Sequence, residues 1–122
     1  MPGRPGSNYS RTPDPQLDLG VRKQGPVVVI TVAGELDMAT VPALAEEIAA
    51  TLDRMSPLTL TLDLSEVCFF SAAGITALLD ARTTVADRGA HLTLRNPSPI
   101  VHQIMRLGGV DEIFEIGDDP SE

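Results

Sequence analysis

The residues with reactive side chains are few and widely spaced along the chain. Neither histidine, His91 or His102, lies three or four residues from another His or Cys, the spacing typical of metal ligands. No G-x-S-x-G turn is present to hold a nucleophilic serine, and no GxxxxGK[ST] or GxGxxG loop is present to bind phosphates. Glu35, Asp37 and Asp63 could gather at one end of a sheet, where helix capping and solubilising charge are the ordinary roles of carboxylates. The pattern predicts a protein that is not an enzyme and that uses no cofactor or metal.

A strand-to-helix junction around Ser71 is the one place where the residue types suggest a function. Ser71 precedes Ala72, Ala73 and Gly74 at the start of a predicted helix. A hydroxyl there lies beside free N–H groups and the positive end of the helix dipole, so an attached phosphate would be accommodated and would alter a binding surface. The small side chains would let another backbone approach closely. The junction is therefore a candidate protein docking site with a phosphorylation switch, although a capping serine before small residues is also an ordinary helix start.

Turn signals and hydrophobic periodicity divide the chain into eight elements that must position this junction. The predicted order is β-β-α-β-α-β-α-β, with strands at 17–21, 27–33, 58–64, 91–94 and 113–116, and helices at 41–55, 72–88 and 99–107. Thr40, Ser71 and Ser98 are the predicted N-caps. We expect the second strand to be central and covered on much of both faces, because it is almost continuously apolar.

The buried faces of the last two helices follow from residue spacing. The predicted inward residues are Ile75, Leu78, Leu79 and Ala86 in the second helix, and Ile100, Val101, Ile104 and Leu107 in the third.

The segment 65–71 is predicted to be a loop that holds two adjacent aromatic residues, Phe69 and Phe70. Because neighbouring side chains point in alternate directions, we expect one ring to be buried and the other partly exposed. Cys68 lies in the same apolar run and is predicted to pack as a small hydrophobic residue.

The element order predicts an α/β domain with a mixed four- to five-stranded sheet. Right-handed crossovers and clean strand alternation favour helices mainly on one face, with the first hairpin antiparallel. Residues 1–16 hold four Pro and two Gly and are expected to form a disordered arm, followed by the domain at 17–116 and an acidic tail at 117–122.

Composition limits the partners. The net charge of −8 disfavours nucleic acid and anionic membranes, and no run approaches the roughly 20 apolar residues of a membrane span. A single cysteine excludes an internal disulfide, which predicts a cytoplasmic location.

Three segments together resemble the STAS domain of bacterial anti-sigma factor antagonists: GELDMATVPAL, LTLDLSEVCFFSAAGITAL and IMRLGGVDEIFEI. The resemblance runs from about Leu17 to Ile116. Its most specific part is the loop pattern D-[LF]-S-x-V-x-[FY]-x-[DS]-[SA]-x-G, which the chain matches at Asp63, Leu64, Ser65, Val67, Phe69, Ser71, Ala72 and Gly74.

The resemblance implies an anti-anti-sigma factor. Members of this family bind an anti-sigma factor that is also a serine kinase with a histidine-kinase-like ATPase fold, and this binding releases a sigma factor for transcription. Phosphorylation of a serine at the start of the second helix breaks the complex. Here the acceptor position is Ala72, which has no hydroxyl, and Ser71 stands where the family usually has Asp.

Three interpretations stay open at this point. Ala72 makes binding constitutive, Ser71 serves as a substitute acceptor, or the domain works outside sigma regulation. The alternative function is a soluble STAS subunit that binds the ATPase of a lipid-transporting ABC system, and a weak homodimer is not excluded.

The docking surface that the resemblance implies comprises the loop 35–40 and the segment 68–76. Its predicted partner-binding residues are Glu35, Asp37, Met38, Thr40, Phe69, Phe70, Ser71, Ala72, Ala73, Gly74 and Thr76. With Glu66 nearby, the acidic residues would favour a basic partner and speed its encounter.

Overall fold

A computed structural model describes residues 17–117 of the chain. The predicted arm, 1–16, lies outside the described residues, as does the predicted tail apart from Gly117. Five strands alternate with three helices after an initial hairpin: β1 (Leu17–Gln24), β2 (Val27–Leu36), α1 (Val41–Met55), β3 (Thr59–Phe70), α2 (Ala72–Asp87), β4 (His91–Arg95), α3 (Pro99–Leu107) and β5 (Glu115–Gly117). The predicted element order is confirmed.

The five strands form one mixed sheet in the order β1-β2-β3-β4-β5. The hairpin β1–β2 is antiparallel and turns at Gly25, whose φ is 64°, while the other three pairs are parallel. Because each crossover moves to the next strand in the same direction, right-handed connections place all three helices on one face of the sheet. The predicted α/β class with a mixed sheet is therefore confirmed.

The core lies between the helices and one face of the sheet. Val28, Leu60 and Leu92 align across three strands, and the next inward row continues with Ile30 and its neighbours. All of these side chains are buried. On the other face, the Thr61 and Thr93 hydroxyl oxygens lie 2.8 Å apart in a cross-strand hydrogen bond. Val29 on that face is also fully buried, while Val27 and Thr31 beside it are half-buried, so the second face of β2 is covered in part.

The prediction of a loop at 65–71 is wrong, because β3 continues to Phe70. Two register shifts against β2 insert extra residues into β3, between the pairs Thr31–Asp63 and Ala33–Glu66 and again after Gly34. Buried side chains in β3 consequently change from every second to every third residue, and such bulges bend the strand. The alternation of buried and exposed side chains therefore stops although β3 is still paired with β2, and the sequence of this segment looks like that of a loop.

Cys68 corrects a second prediction, since it is exposed rather than packed in the core. It is the extra residue of the second bulge, without a partner in β2, and its side chain is turned outward there.

The inward faces of α2 and α3 also differ in part from the prediction. In α2, Ala86 is exposed, and Val85 and Ala81 are buried in its place. In α3, Leu107 is 76% exposed and Met105 is buried instead. In both helices the error grows toward the C-terminus, where apolar residues stand on more than one side and spacing alone cannot choose the buried side.

The last strand begins two residues later than predicted, at Glu115, and Phe114 before it is buried. None of the helices within residues 17–117 combines the length and apolar character that crossing a bilayer requires.

Candidate functional site

The site is built where β2 and β3 end side by side. Glu35 pairs with Phe69 and Leu36 with Phe70, directly after the second bulge. Because parallel strands end at the same edge of a sheet, the chain segments that follow them, the loop to α1 and the start of α2, lie next to each other. We call the residues 35–40 and 68–76 together the helix-start surface.

The loop between β2 and α1 is held by hydrogen bonds of two side chains. The Thr40 hydroxyl donates to the Glu35 carbonyl at 2.7 Å and accepts from the Asp37 N–H at 3.0 Å. The Asp37 carboxylate oxygen Oδ1 accepts from the N–H groups of Ala39 and Thr40 at 3.0 and 3.1 Å. Thr40 occupies the predicted N-cap position, but its side chain makes no capping bond to α1. It is fully buried and therefore fixes the loop from inside.

The start of α2 is tied to the end of β2 through Ser71. The Ser71 N–H donates to the Leu36 carbonyl at 3.1 Å, and its Oγ accepts from the Ala73 N–H at 3.2 Å. The predicted N-cap is thus confirmed. A third contact joins Ser71 Oγ to the Leu36 carbonyl at 3.4 Å. The hydroxyl of this half-buried residue is therefore directed at backbone groups of its own domain.

Gly74 is required by the ring of Phe70. A Cβ atom at position 74 would lie 2.6 Å from Cε1 of that ring, well inside ordinary contact distance. Phe70 is 2% exposed and Phe69 is 48% exposed, which confirms that one of the two rings is buried. The buried ring supports the first turn of α2 from below.

The eleven predicted site residues lie on the helix-start surface and differ in how far they are exposed. Those that are exposed are Met38, Phe69, Ala72 and Thr76; those that are half-buried are Glu35, Asp37, Ser71 and Ala73; those that are buried are Thr40, Phe70 and Gly74. Met38 is 81% exposed and Phe69 is 48% exposed, so two large apolar side chains are open to solvent, and Met38 lines the same groove as Ala72 at the first position of α2. Large apolar side chains in this setting are typical anchors of protein interfaces.

The carboxylates of Asp37 and Asp63 accept hydrogen bonds from backbone N–H groups two or three residues further along the chain. Asp63 Oδ1 accepts from the Ser65 N–H at 3.0 Å, as Asp37 does in its loop. Within residues 17–117, no three His, Cys, Asp or Glu side chains come close enough to hold a metal ion. His91 pairs with Glu115 through Nε2 and Oε1 on an exposed edge of the sheet, far along the chain from the helix-start surface.

Sequence reasoning missed a groove between α1 and α2. It has a volume of about 500 Å³ and begins at the helix-start surface with Met38 and Ala72. It continues past Ala45 and Ala77 to Thr84. The signal in the sequence was the alanines on both helices, which leave space between them, but pairing the two helices requires the sheet topology.

A family model described as "Mlab, STAS domain" matches residues 19–116 of the chain. Among solved structures, an anti-sigma factor antagonist from Mycobacterium paratuberculosis is 29% identical with a TM-score of 0.73, over 83% of this chain and 85% of that one. The phosphorylated form of the Bacillus cell fate determinant SpoIIAA is 19% identical with a TM-score of 0.64, over 84% and 91%. The murine anion transporter Slc26a9 is 27% identical with a TM-score of 0.65, over 75% of this chain and 15% of that chain.

Proposed function

Because the chain belongs to the STAS-domain family, we propose that it is an anti-sigma factor antagonist that acts in the cytoplasm without the usual phosphorylation switch. It binds a kinase-type anti-sigma factor with a histidine-kinase-like ATPase fold through the helix-start surface, and this binding releases a sigma factor for transcription. The observation that carries the proposal is the exposed start of α2, where Ala72 lines the same groove as the exposed side chain of Met38. The M. paratuberculosis antagonist of the same fold supports the assignment.

Ala72 makes the binding constitutive in this proposal. It is exposed at the first position of α2, where a kinase could reach a side chain, but it offers no hydroxyl. Ser71, one residue earlier, is half-buried, and its Oγ contacts the Ala73 N–H and the Leu36 carbonyl. Phosphorylation of Ser71 would remove the hydroxyl proton of its contact with the Leu36 carbonyl and would require a kinase to reach a half-buried side chain, so Ser71 is disfavoured as a substitute acceptor.

The test begins with a pull-down from native lysate, comparing the tagged chain with its Ala72→Asp variant. A charge at position 72 lies in an apolar groove beside Met38 and should weaken binding, because it would be desolvated without a partner. Ala86→Asp is the matched control, since Ala86 is exposed on the same helix but outside the helix-start surface. Recovery of a kinase-type anti-sigma factor with the wild type and the Ala86→Asp variant, and its loss with Ala72→Asp, would support the proposal.

The same residue favours one other candidate function, because a partner that is not a kinase needs no phosphoacceptor. A soluble STAS subunit bound to the ATPase of a lipid-transporting ABC system would use the same helix-start surface. Recovery of a transporter ATPase in the pull-down, rather than an anti-sigma factor, would establish this alternative.

A mass measurement addresses the missing switch. Incubation of the wild type with the recovered kinase and ATP should leave the intact mass unchanged, whereas Ala72→Ser should gain about 80 Da, the mass of one phosphoryl group. A gain by the wild type that Ser71→Ala abolishes would contradict constitutive binding and identify Ser71 as the acceptor.

A further inference from the structure

The groove between α1 and α2 extends the helix-start surface along both helices. It shares Met38, Ala72 and Thr76 with that surface and reaches Ile48 on α1 and Thr84 on α2. From Ala72 to Thr84 the helix rises twelve residues, or about 18 Å, which is the length of about three turns of a partner helix.

The walls of the groove suit a helix packed against α1 and α2. Ala45, Ala73 and Ala77 present only methyl groups, which lets a third helix approach at the 8–10 Å axial distance of packed helices. Asp80 is the one charged residue among the lining side chains. An amphipathic helix that places its apolar side chains in such a groove is a common mode of recognition.

The charge around the groove specifies the partner further. The two helices that form the groove carry two cationic side chains, Arg54 on α1 and Arg82 on α2. Arg54 lies 3.6 Å from Glu47 and is thereby partly neutralised. The same two helices carry five carboxylates: Glu46, Glu47, Asp53, Asp80 and Asp87. A second copy of this chain would bring the same negative charge against itself, so the groove favours a basic partner.

We propose that the groove between α1 and α2 binds a basic amphipathic helix of the protein partner, with apolar residues at i, i+3, i+4 and i+7 and Lys or Arg on its flanks. The inference rests on the proposed function, because it extends the same surface from the helix starts to about three turns along α1 and α2. It adds the helical form of the partner segment and the spacing of its apolar residues to the basic character already expected of a partner at the helix-start surface.

The first test requires no natural partner. A synthetic 18-residue amphipathic helix with leucines at the stated spacing and flanking lysines is titrated into the ¹⁵N-labelled full chain. Its length is about that of the groove plus one helical turn at each end. The control is the same peptide with glutamate in place of each lysine. The lysine peptide should shift the backbone amides of residues 41–48 and 73–84, and the glutamate peptide should not. Equal effects of both peptides, shifts confined to other residues, or no shift at about 1 mM peptide would each overturn the proposal.

Charge reversal provides the matched pair of variants. Asp80→Lys should lower the affinity for the lysine peptide about tenfold, because it places a positive charge inside the groove that repels the lysines. Asp87→Lys makes the same change on the same helix outside the groove and should alter the affinity less than about twofold. If the two variants lower the affinity for the lysine peptide equally, the attraction depends only on the net charge of the chain, and the proposal that the peptide binds in the groove is contradicted.

The partner itself provides an independent arm. Ala45→Phe fills the distal groove at an exposed position, and Ala86→Phe adds the same ring outside it. The protein recovered in the pull-down should bind Ala45→Phe about tenfold more weakly than Ala86→Phe. If Ala72→Asp abolishes binding while Ala45→Phe leaves it unchanged, the proposed function stands and the groove proposal is overturned. If Ala72→Asp has no effect on any partner, the proposed function fails, and the peptide titration still decides the role of the groove.

Discussion

Replacing Gly74 by alanine should destabilise the domain through a single contact with Phe70. The added Cβ would lie 2.6 and 2.7 Å from Cε1 and Cδ1 of the ring, where an ordinary carbon contact is about 3.5–4.0 Å. The ring would have to retreat by about 1 Å, but Phe70 is 2% exposed and belongs to the core, where side chains are close-packed.

The magnitude follows from two opposing effects. Overpacking of a core costs up to about 3 kcal/mol, and the higher helix propensity of alanine returns up to about 1 kcal/mol. The free energy of unfolding should therefore fall by about 2 kcal/mol. In urea unfolding this lowers the midpoint by about 1–2 M, and in thermal unfolding it lowers the Tm by about 10 °C.

Two controls separate this contact from a general effect of losing a glycine. At Gly108 an added Cβ would lie 2.9 Å from Ile75 Cδ1, the end of a half-exposed side chain that can rotate away, so Gly108→Ala should cost less than about 1 kcal/mol. In a Phe70→Val background, Gly74→Ala should cost less than about 0.5 kcal/mol, because the ring atoms are gone. A Gly74→Ala midpoint equal to that of the wild type, or an equal cost in both backgrounds, would refute the reasoning.

Three further substitutions test the other supports of the site. Thr40→Val should lower the free energy of unfolding by about 1–3 kcal/mol in urea, because the Glu35 carbonyl loses its 2.7 Å donor in a buried position; Thr40→Ser, which keeps the hydroxyl, should recover most of it. Ser71→Ala removes the cap on the Ala73 N–H and should cost about 1 kcal/mol by the same assay, and no loss would show that the cap is dispensable. Phe69→Ala should change the urea midpoint little, because the ring is half-exposed, but it should weaken binding of the recovered partner by about 2 kcal/mol in calorimetry. Unchanged affinity would show that this ring is not part of the interface.

Local signals in the sequence determined much of the fold. Ser71 was predictable as a cap because the residue type and the helix start are adjacent in the chain, and the capping bond spans only two residues. The order of strands and helices along the chain followed from hydrophobic periodicity, and right-handed crossovers then favoured a mixed sheet with the helices mainly on one face. The resemblance to a known family also predicted which residues belong to the helix-start surface, because each of its two segments is continuous in the sequence.

The tertiary structure decided what depends on contacts between distant segments. Whether 65–70 is a strand depends on two bulges against β2, which no local pattern reveals. Thr40 is a buried support rather than a surface residue because the carbonyl of Glu35 turns toward its hydroxyl. The groove exists only because alanines from α1 and α2 face each other across about thirty residues of intervening chain. Periodicity reports which side of an element is apolar, but the partner that covers that side, or leaves it open, is chosen by the packing of the whole chain.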